Sequence, residues 1–132
     1  ISRTFVCGND FNNTQKELYS MSLEQINHNS NLIKADMSFK EFTEKSWKLP
    51  EEYYGNRYSV MVHGIGLCDE WPSIRYPTDG GDKSGRFLKN MTITVESYIG
   101  KVGGKEGVKL EQQYLVGENG LELMSHHPLE NI

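Results

Sequence analysis

Cysteine is scarce in this chain: Cys7 and Cys68 are the only two among 132 residues. They form no CxxC pair, which excludes a disulfide framework and a thiolate zinc site, and both are read as free thiols. No apolar run approaches the roughly 20 residues needed to cross a bilayer. The first residues lack the basic-then-apolar order of a secretion signal, so the expected compartment is the cytoplasm. Like charges are not grouped either. The 14 Lys and Arg against 18 Asp and Glu give a net charge of -4, and neither a nucleic-acid nor a membrane partner is expected.

The length suits a single domain, 1–132, which at this size buries about two thirds of its unfolded surface. The chain opens without Met, directly in the strand-like Ile1-Ser2-Arg3-Thr4-Phe5-Val6-Cys7. A domain seldom begins in mid-strand, so the sequence is expected to be the C-terminal part of a longer catalytic domain. Residues 1–7 read as the edge of a sheet, closed by a turn at Gly8, Asn9 and Asp10.

Two helices are expected next. Thr14-x-x-Glu17 has the form of a capping box opening a helix to about residue 33, with Tyr19, Leu23, Ile26 and Ile33 on one face and Asn and Gln on the other. Ser38-x-x-Glu41 has the same form and starts a second helix, which turns Phe39 and Phe42 inward and stops before Pro50. Residues 51–56 read as a polar loop.

The remaining half is strand and turn. An apolar run from Tyr58 ends in His63-Gly64-Ile65-Gly66, where the missing side chains allow backbone or ligand to approach closely. A turn rich in acidic, aromatic and proline residues follows, and residues 78–85 form either a solvent loop or a lid. Residues 91–99 alternate so that Met91, Ile93 and Val95 share one face and Thr92, Thr94, Glu96 and Tyr98 the other. After a glycine-rich hairpin, residues 108–116 place Val108, Leu110, Tyr114 and Val116 opposite Lys109, Glu111 and Gln113.

A hairpin brings cross-strand neighbours within about 5 Å, so Glu96 and Glu111 can meet. Two carboxylates that close repel unless a cation or a shared proton lies between them. Adding His63 makes a set of one imidazole and two carboxylates, which suits Mn, Co, Fe or Zn in a hydrolytic site. The residues alone leave the ordinary reading open, an isolated histidine and two solvent-facing glutamates. His28, His126 and His127 are read as surface residues.

In this order, His63-Gly64-Ile65-Gly66, Thr94-Val95-Glu96 and Gly107-Val108-Lys109-Leu110-Glu111 resemble the last three metal-ligand motifs of the pita-bread metalloenzymes. That superfamily comprises Xaa-Pro aminopeptidases, prolidases, methionine aminopeptidases and creatinase. The resemblance covers nearly the whole chain, including Ser2-Arg3-Thr4-Phe5, which is similar to the strand just after the family's second aspartate ligand. It implies an α+β fold, the C-terminal half of the pita-bread architecture, with a curved antiparallel sheet and helices on its outer face. It further implies two divalent ions, Mn, Co, Zn or Fe. His63 would be a terminal ligand, Glu96 a ligand that also shuttles a proton, and Glu111 the bridge. The two aspartate ligands would lie upstream, the second just before Ile1. The chain alone is therefore expected to bind metal poorly and to be inactive. A dipeptide or other small-molecule substrate and a homodimeric assembly are implied in the same way.

One departure bears on the reaction. Where the peptidases of the family carry a second histidine in His-Glu-x-Pro, this chain has Asp69-Glu70-Trp71-Pro72, one residue nearer to His63. An imidazole donates to a developing oxyanion, and a carboxylate repels it. The run from His63 to Pro72, with Glu96-Ser97-Tyr98-Ile99-Gly100 downstream, is similar to the dimethylsulfoniopropionate lyases of this fold. That likeness makes Asp69 the candidate base, with Tyr58 as a second candidate. Trp71 and Tyr76 become candidates to face a sulfonium, a contact worth about 0.5 to 2 kcal/mol, with Arg75 beside them as a further substrate-binding candidate. Three functions are thus carried forward: a hydrolase related to Xaa-Pro peptidases, a β-elimination lyase, and a non-catalytic binding module on the same fold.

Overall fold

The structure, a computed structural model, describes residues 1–8, 10–67, 70–81 and 83–129. Three helices, α1 (Asn13–Leu32), α2 (Phe39–Lys45) and α3 (Glu51–Tyr54), precede five strands, β1 (Val60–Gly64), β2 (Ser73–Arg75), β3 (Thr92–Gly100), β4 (Gly107–Val116) and β5 (Leu121–Leu123). The strands form one sheet in the order β2-β1-β3-β4-β5, antiparallel throughout. Helix α1 packs across β3 and β4, and α2 reaches α1 and β2. This is the α+β arrangement expected, with helices covering one face of an antiparallel sheet. No helix among the described residues is long and apolar enough to cross a membrane.

The core lies between α1 and the sheet, where Ile26, Phe42, Phe87, Ile93, Val95 and Leu110 are fully buried. Each such side chain contributes on the order of 1.5–3 kcal/mol by leaving water. Strand alternation sorts the residues. Ile93, Val95, Ser97 and Ile99 face the helix, while Thr94 and Glu96 face away from it.

Several local expectations are corrected. The box that opens α1 is Asn12 and Gln15, two residues before Thr14 and Glu17: Gln15 N donates to Asn12 Oδ1 and Asn12 N to Gln15 Oε1, both at 2.9 Å. Asparagine caps as well as serine or threonine, so the earlier match starts the helix. Residues 51–56 are not all loop, because α3 begins behind Pro50 with Glu51 and Glu52 in its first turn, where acidic charge complements the helix dipole. Ser38 caps α2 as expected, accepting from Glu41 N at 3.0 Å, and Phe39 and Phe42 are buried. Residues 1–7 make a single bridge, Ser2 to Glu111, rather than a strand. β2 and β5, of three residues each, are too short for alternation to reveal.

The polar face expected on α1 is also corrected, since Ser22, Gln25 and Asn29 are buried against the sheet. Partners account for Ser22, Gln25 and the side-chain oxygen of Asn29, while Asn29 Nδ2 is buried without one among the described residues. Ser97 Oγ donates to Gln25 Oε1 at 2.6 Å, Gln25 Nε2 to Tyr76 Oη at 2.5 Å, Ser22 Oγ to Ser97 Oγ at 3.0 Å, and Trp47 N to Asn29 Oδ1 at 2.9 Å. A buried polar group left without its partner costs about 1–3 kcal/mol. Gln25→Leu strands Tyr76 Oη and takes away the acceptor of the Ser97 hydroxyl, which keeps only its bond from Ser22, so it is expected to destabilise the chain by about 2 kcal/mol in urea unfolding. A change below a few tenths would show that the network contributes nothing.

The loop at 78–85 is tied down in its described part. Arg57 lies over the Tyr54 ring at 3.8 Å and donates from Nε to Asp79 Oδ2 at 2.9 Å, and Gly81 bridges Ile74.

Candidate metal centre

β1 ends in His63 and Gly64, and the last position must be glycine. A Cβ on Gly64 would stand 1.9 Å from the carbonyl oxygen of Trp71, whose backbone folds over the strand end. Gly64 N donates to Pro72 O at 2.9 Å, closing this turn against β1. The close backbone approach expected at the glycine-flanked histidine is therefore real at Gly64, and it comes from the chain's own turn.

Register then assembles the site. His63 pairs with Thr94 on β3, and Glu96 pairs directly with Glu111 on β4. Cross-strand partners share a face, so all four side chains stand on the side of the sheet away from α1. His63 Nε2 lies 2.7 Å from Glu96 Oε1 and 3.8 Å from Glu111 Oε1. Among the described residues these three form the one group with metal-type ligand atoms all within 4.8 Å of one another.

The protons are assigned by the neighbours. His63 Nδ1 lies 2.8 Å from the Gly64 carbonyl oxygen, which can only accept, so Nδ1 carries a hydrogen. Nε2 then aims its lone pair, or a second proton, at Glu96. Without a cation the pair is held together by that proton. The hydrogen bond to Glu96 raises the His63 pKa, against the opposing effect of burial, with help from the Gly64 carbonyl. Burial pushes Glu96 upward, but the hydrogen bonds from His63 and Lys109 outweigh it and leave its pKa below the ordinary carboxylate value. A metal-binding histidine commonly donates its other ring N–H to a backbone carbonyl, as Nδ1 does here to Gly64. One imidazole and two carboxylates fit a divalent ion of the Mn, Fe, Co or Zn group.

Lys109 was on the polar face in the sequence but had no assigned role. Its Nζ lies 2.9 Å from Glu96 Oε2 and 4.5 Å from the Tyr58 ring centroid. Its spacing, two residues before Glu111 on an alternating strand, was the signal that placed it here. Burial pulls the Lys109 pKa down, and Glu96 more than restores it. Glu96, only 3% exposed, is thus a buried carboxylate with the His63 imidazole on one side and the Lys109 ammonium on the other.

An open cleft of about 540 Å³ adjoins the three residues, lined by His63, Glu111, Thr94, Gln113, Glu70 and Leu67 among others. Gln113 and Glu70 enter the site here, the first as the cross-strand partner of Thr94.

The other candidates scatter. Tyr58 is 42% exposed and touches the centre through Lys109. Arg75 stands on the site side of β2, donating from Nε to Ser73 Oγ at 3.2 Å, and is not among the described residues that line the cleft. Trp71 is 60% exposed, and its backbone rather than its ring closes on Gly64. Tyr76 is corrected outright. It is 5% exposed, belongs to the core, and bonds Gln25 of α1 on the opposite side of the sheet. It shares that side with Ile74 because the two are separated by one residue along an extended chain. Asp69 lies outside the described residues.

The chain is 35% identical over 109 residues to dimethylsulfoniopropionate lyase DddP of Roseovarius nubinhibens, covering 81% of this chain and 24% of that protein. It is 34% identical over 130 residues to the Xaa-Pro dipeptidase of Pyrococcus furiosus, covering 95% of this chain and 35% of that one. The chain therefore spans between a quarter and about a third of these relatives. Among solved structures, the prolidase from Pyrococcus horikoshii OT3 superposes with a TM-score of 0.80 at 27% identity, covering 98% of this chain and 36% of that chain. The model of metallopeptidase family M24 matches residues 1–118, a span that holds His63, Glu96 and Glu111, and the chain belongs to that family.

Proposed function

We propose that this chain carries the imidazole and carboxylate donors of a divalent-metal site at which an M24 enzyme hydrolyses a small substrate of the Xaa-Pro dipeptide type. The observation that carries this reading is the convergence of His63 Nε2, Glu96 Oε1 and Glu111 Oε1 from three strands onto one point. A bound Mn, Co, Zn or Fe ion supplies Lewis-acid activation of water and of a carbonyl group. The protein's own residues do the rest. Glu96, held ionised between His63 and Lys109, accepts and returns a proton. Glu111 presents Oε1 to the centre, and Leu67 and Ile65 give the cleft an apolar wall. Three donors make a partial coordination set, so the chain by itself binds an ion weakly and turns over no substrate.

A second reading is β-elimination, and a specific observation favours it. Glu70 lines the cleft, and its negative charge acts on His63. A carboxylate there opposes a developing oxyanion but can take a proton from carbon. With dimethylsulfoniopropionate, the substrate in the name of one relative, the proton next to the carboxylate would be removed and the carbon–sulfur bond broken. The products would be dimethyl sulfide and acrylate. Asp69, beside Glu70, and Tyr58 are the other bases for this reaction.

Assaying the enzyme that contains this chain with an Xaa-Pro dipeptide and with dimethylsulfoniopropionate, before and after chelation, separates the readings. Chelator-sensitive dipeptide cleavage supports the first, release of dimethyl sulfide supports the second, and turnover of neither sinks both.

A further inference from the structure

Glu111 sits where the outer edge of β4 would otherwise be bare. β5 covers that edge only from Tyr114 to Val116, and an unpaired edge leaves backbone groups unsatisfied and the strand free to shift. Residues 2–4 fill the gap. Ser2 and Glu111 exchange backbone hydrogen bonds, Ser2 N to Glu111 O at 3.3 Å and Glu111 N to Ser2 O at 3.1 Å. Two residues on, the Thr4 hydroxyl continues the ladder, donating to Lys109 O at 2.8 Å and accepting from Lys109 N at 2.9 Å. Both site residues of β4 are thereby held from outside the sheet.

Arg3 completes the arrangement. Its Nη1 donates to Ser2 O at 2.8 Å and Glu111 O at 2.7 Å, its Nη2 to Gln112 Oε1 at 2.6 Å and His127 O at 2.5 Å, and its Nε to Pro128 O at 3.0 Å. A guanidinium has five N–H donors, and every one is committed. Nothing remains for a substrate, so its work is positional. The tail it captures, residues 125–128, lies beyond the span that matches the family. Ser125 ties the same tail to Gln112, donating to Oε1 at 2.7 Å. At the carboxylate itself, Ser2 Oγ donates to Glu111 Oε2 at 2.6 Å, which leaves Oε1 as the oxygen turned toward His63.

We propose that Ser2 and Arg3 are positioning residues for Glu111, and that the C-terminal tail is part of the support of the metal centre through Arg3. The inference rests on the metal reading above. Outer partners that orient a ligand are commonly worth about 10–100-fold in metal affinity, and that range is expected here.

The test uses Co²⁺ as probe on the enzyme that contains this chain, followed by calorimetry and by the visible absorption of the bound ion. Ser2→Ala, which removes one hydroxyl, is expected to weaken Co²⁺ about tenfold and to change the absorption bands. Arg3→Ala is expected to weaken it by about 10–100-fold. Removing residues 126–132 is expected to weaken it less, and to add little to Arg3→Ala, because the two changes break the same contacts. Circular dichroism checks folding, and if Arg3→Ala fails to fold, Ser2→Ala and the truncation carry the test. Unchanged affinity and spectrum in the variants, with binding intact in the unchanged enzyme, overturn this proposal alone. Failure of the unchanged enzyme to bind Co²⁺ overturns the metal reading and this inference with it.

Discussion

Turnover falls by about 10²–10⁴-fold when Glu96 is replaced by Gln in the enzyme that contains this chain. The substitution keeps the volume and one hydrogen-bond acceptor, so the sheet is not disturbed. It removes the carboxylate that His63 and Lys109 hold ionised for proton transfer. Glu96 is buried between the His63 imidazole and the Lys109 ammonium, and both favour its ionised form. A glutamine there also leaves Lys109 facing a neutral amide, with the Tyr58 ring as its remaining partner. Single-turnover measurements with saturating metal separate this loss from weaker metal binding. A fall of less than tenfold would show that Glu96 is a ligand or a spacer and not the proton carrier.

His63→Ala is expected to weaken Mn²⁺ or Co²⁺ by more than the roughly 100-fold that outer partners control, since it removes the only nitrogen donor of the set. The same variant reveals the pH behaviour of the metal-free chain. His63 has a folded pKa raised above its ordinary value of 6.5, so its contribution to stability is full below that value and is lost as pH rises through the folded pKa. Glu96 has a folded pKa below its ordinary value of 4.5, so its contribution is full above that value and is lost as pH falls through the folded pKa. Both are present between pH 4.5 and 6.5, and the unchanged chain is expected to be most resistant to urea in that window.

A divalent ion reverses the alkaline side, because it requires the neutral imidazole and so binds better as pH rises. In His63→Ala the alkaline fall in stability disappears. A variant curve that parallels the unchanged chain at every pH would remove His63 from this account.

Much of the site was legible because it depends on short-range rules. Strand alternation put Glu96 on one face of its strand and Glu111 on one face of the next. The glycine-rich hairpin between them supplied the register, and the structure pairs the two directly. His63 was visible as the end of an apolar strand before glycine. The second helix was legible for a similar reason, since Ser38 and the Phe39–Phe42 pair lie within one turn.

What failed followed from contacts that local patterns do not encode. Ser22, Gln25 and Asn29 look like a solvated face by residue type, yet Gln25 finds partners 51 and 72 residues away. Tyr76 looked like a substrate contact because it follows the turn after His63. The short strand just before it, β2, offered no alternation to show that it points into the core.

The sequence by itself determined which atoms the centre has to work with: one imidazole at a strand end and two carboxylates placed opposite each other by a two-residue period. Only the tertiary structure decided what surrounds them. It put Lys109 against Glu96, moved Tyr76 to the far side of the sheet, and brought Ser2 and Arg3 to Glu111 across a separation of 109 and 108 residues. The reason is physical. Periodicity arises from the geometry of one element, whereas an edge contact depends on where distant segments come to rest once the core between them is packed.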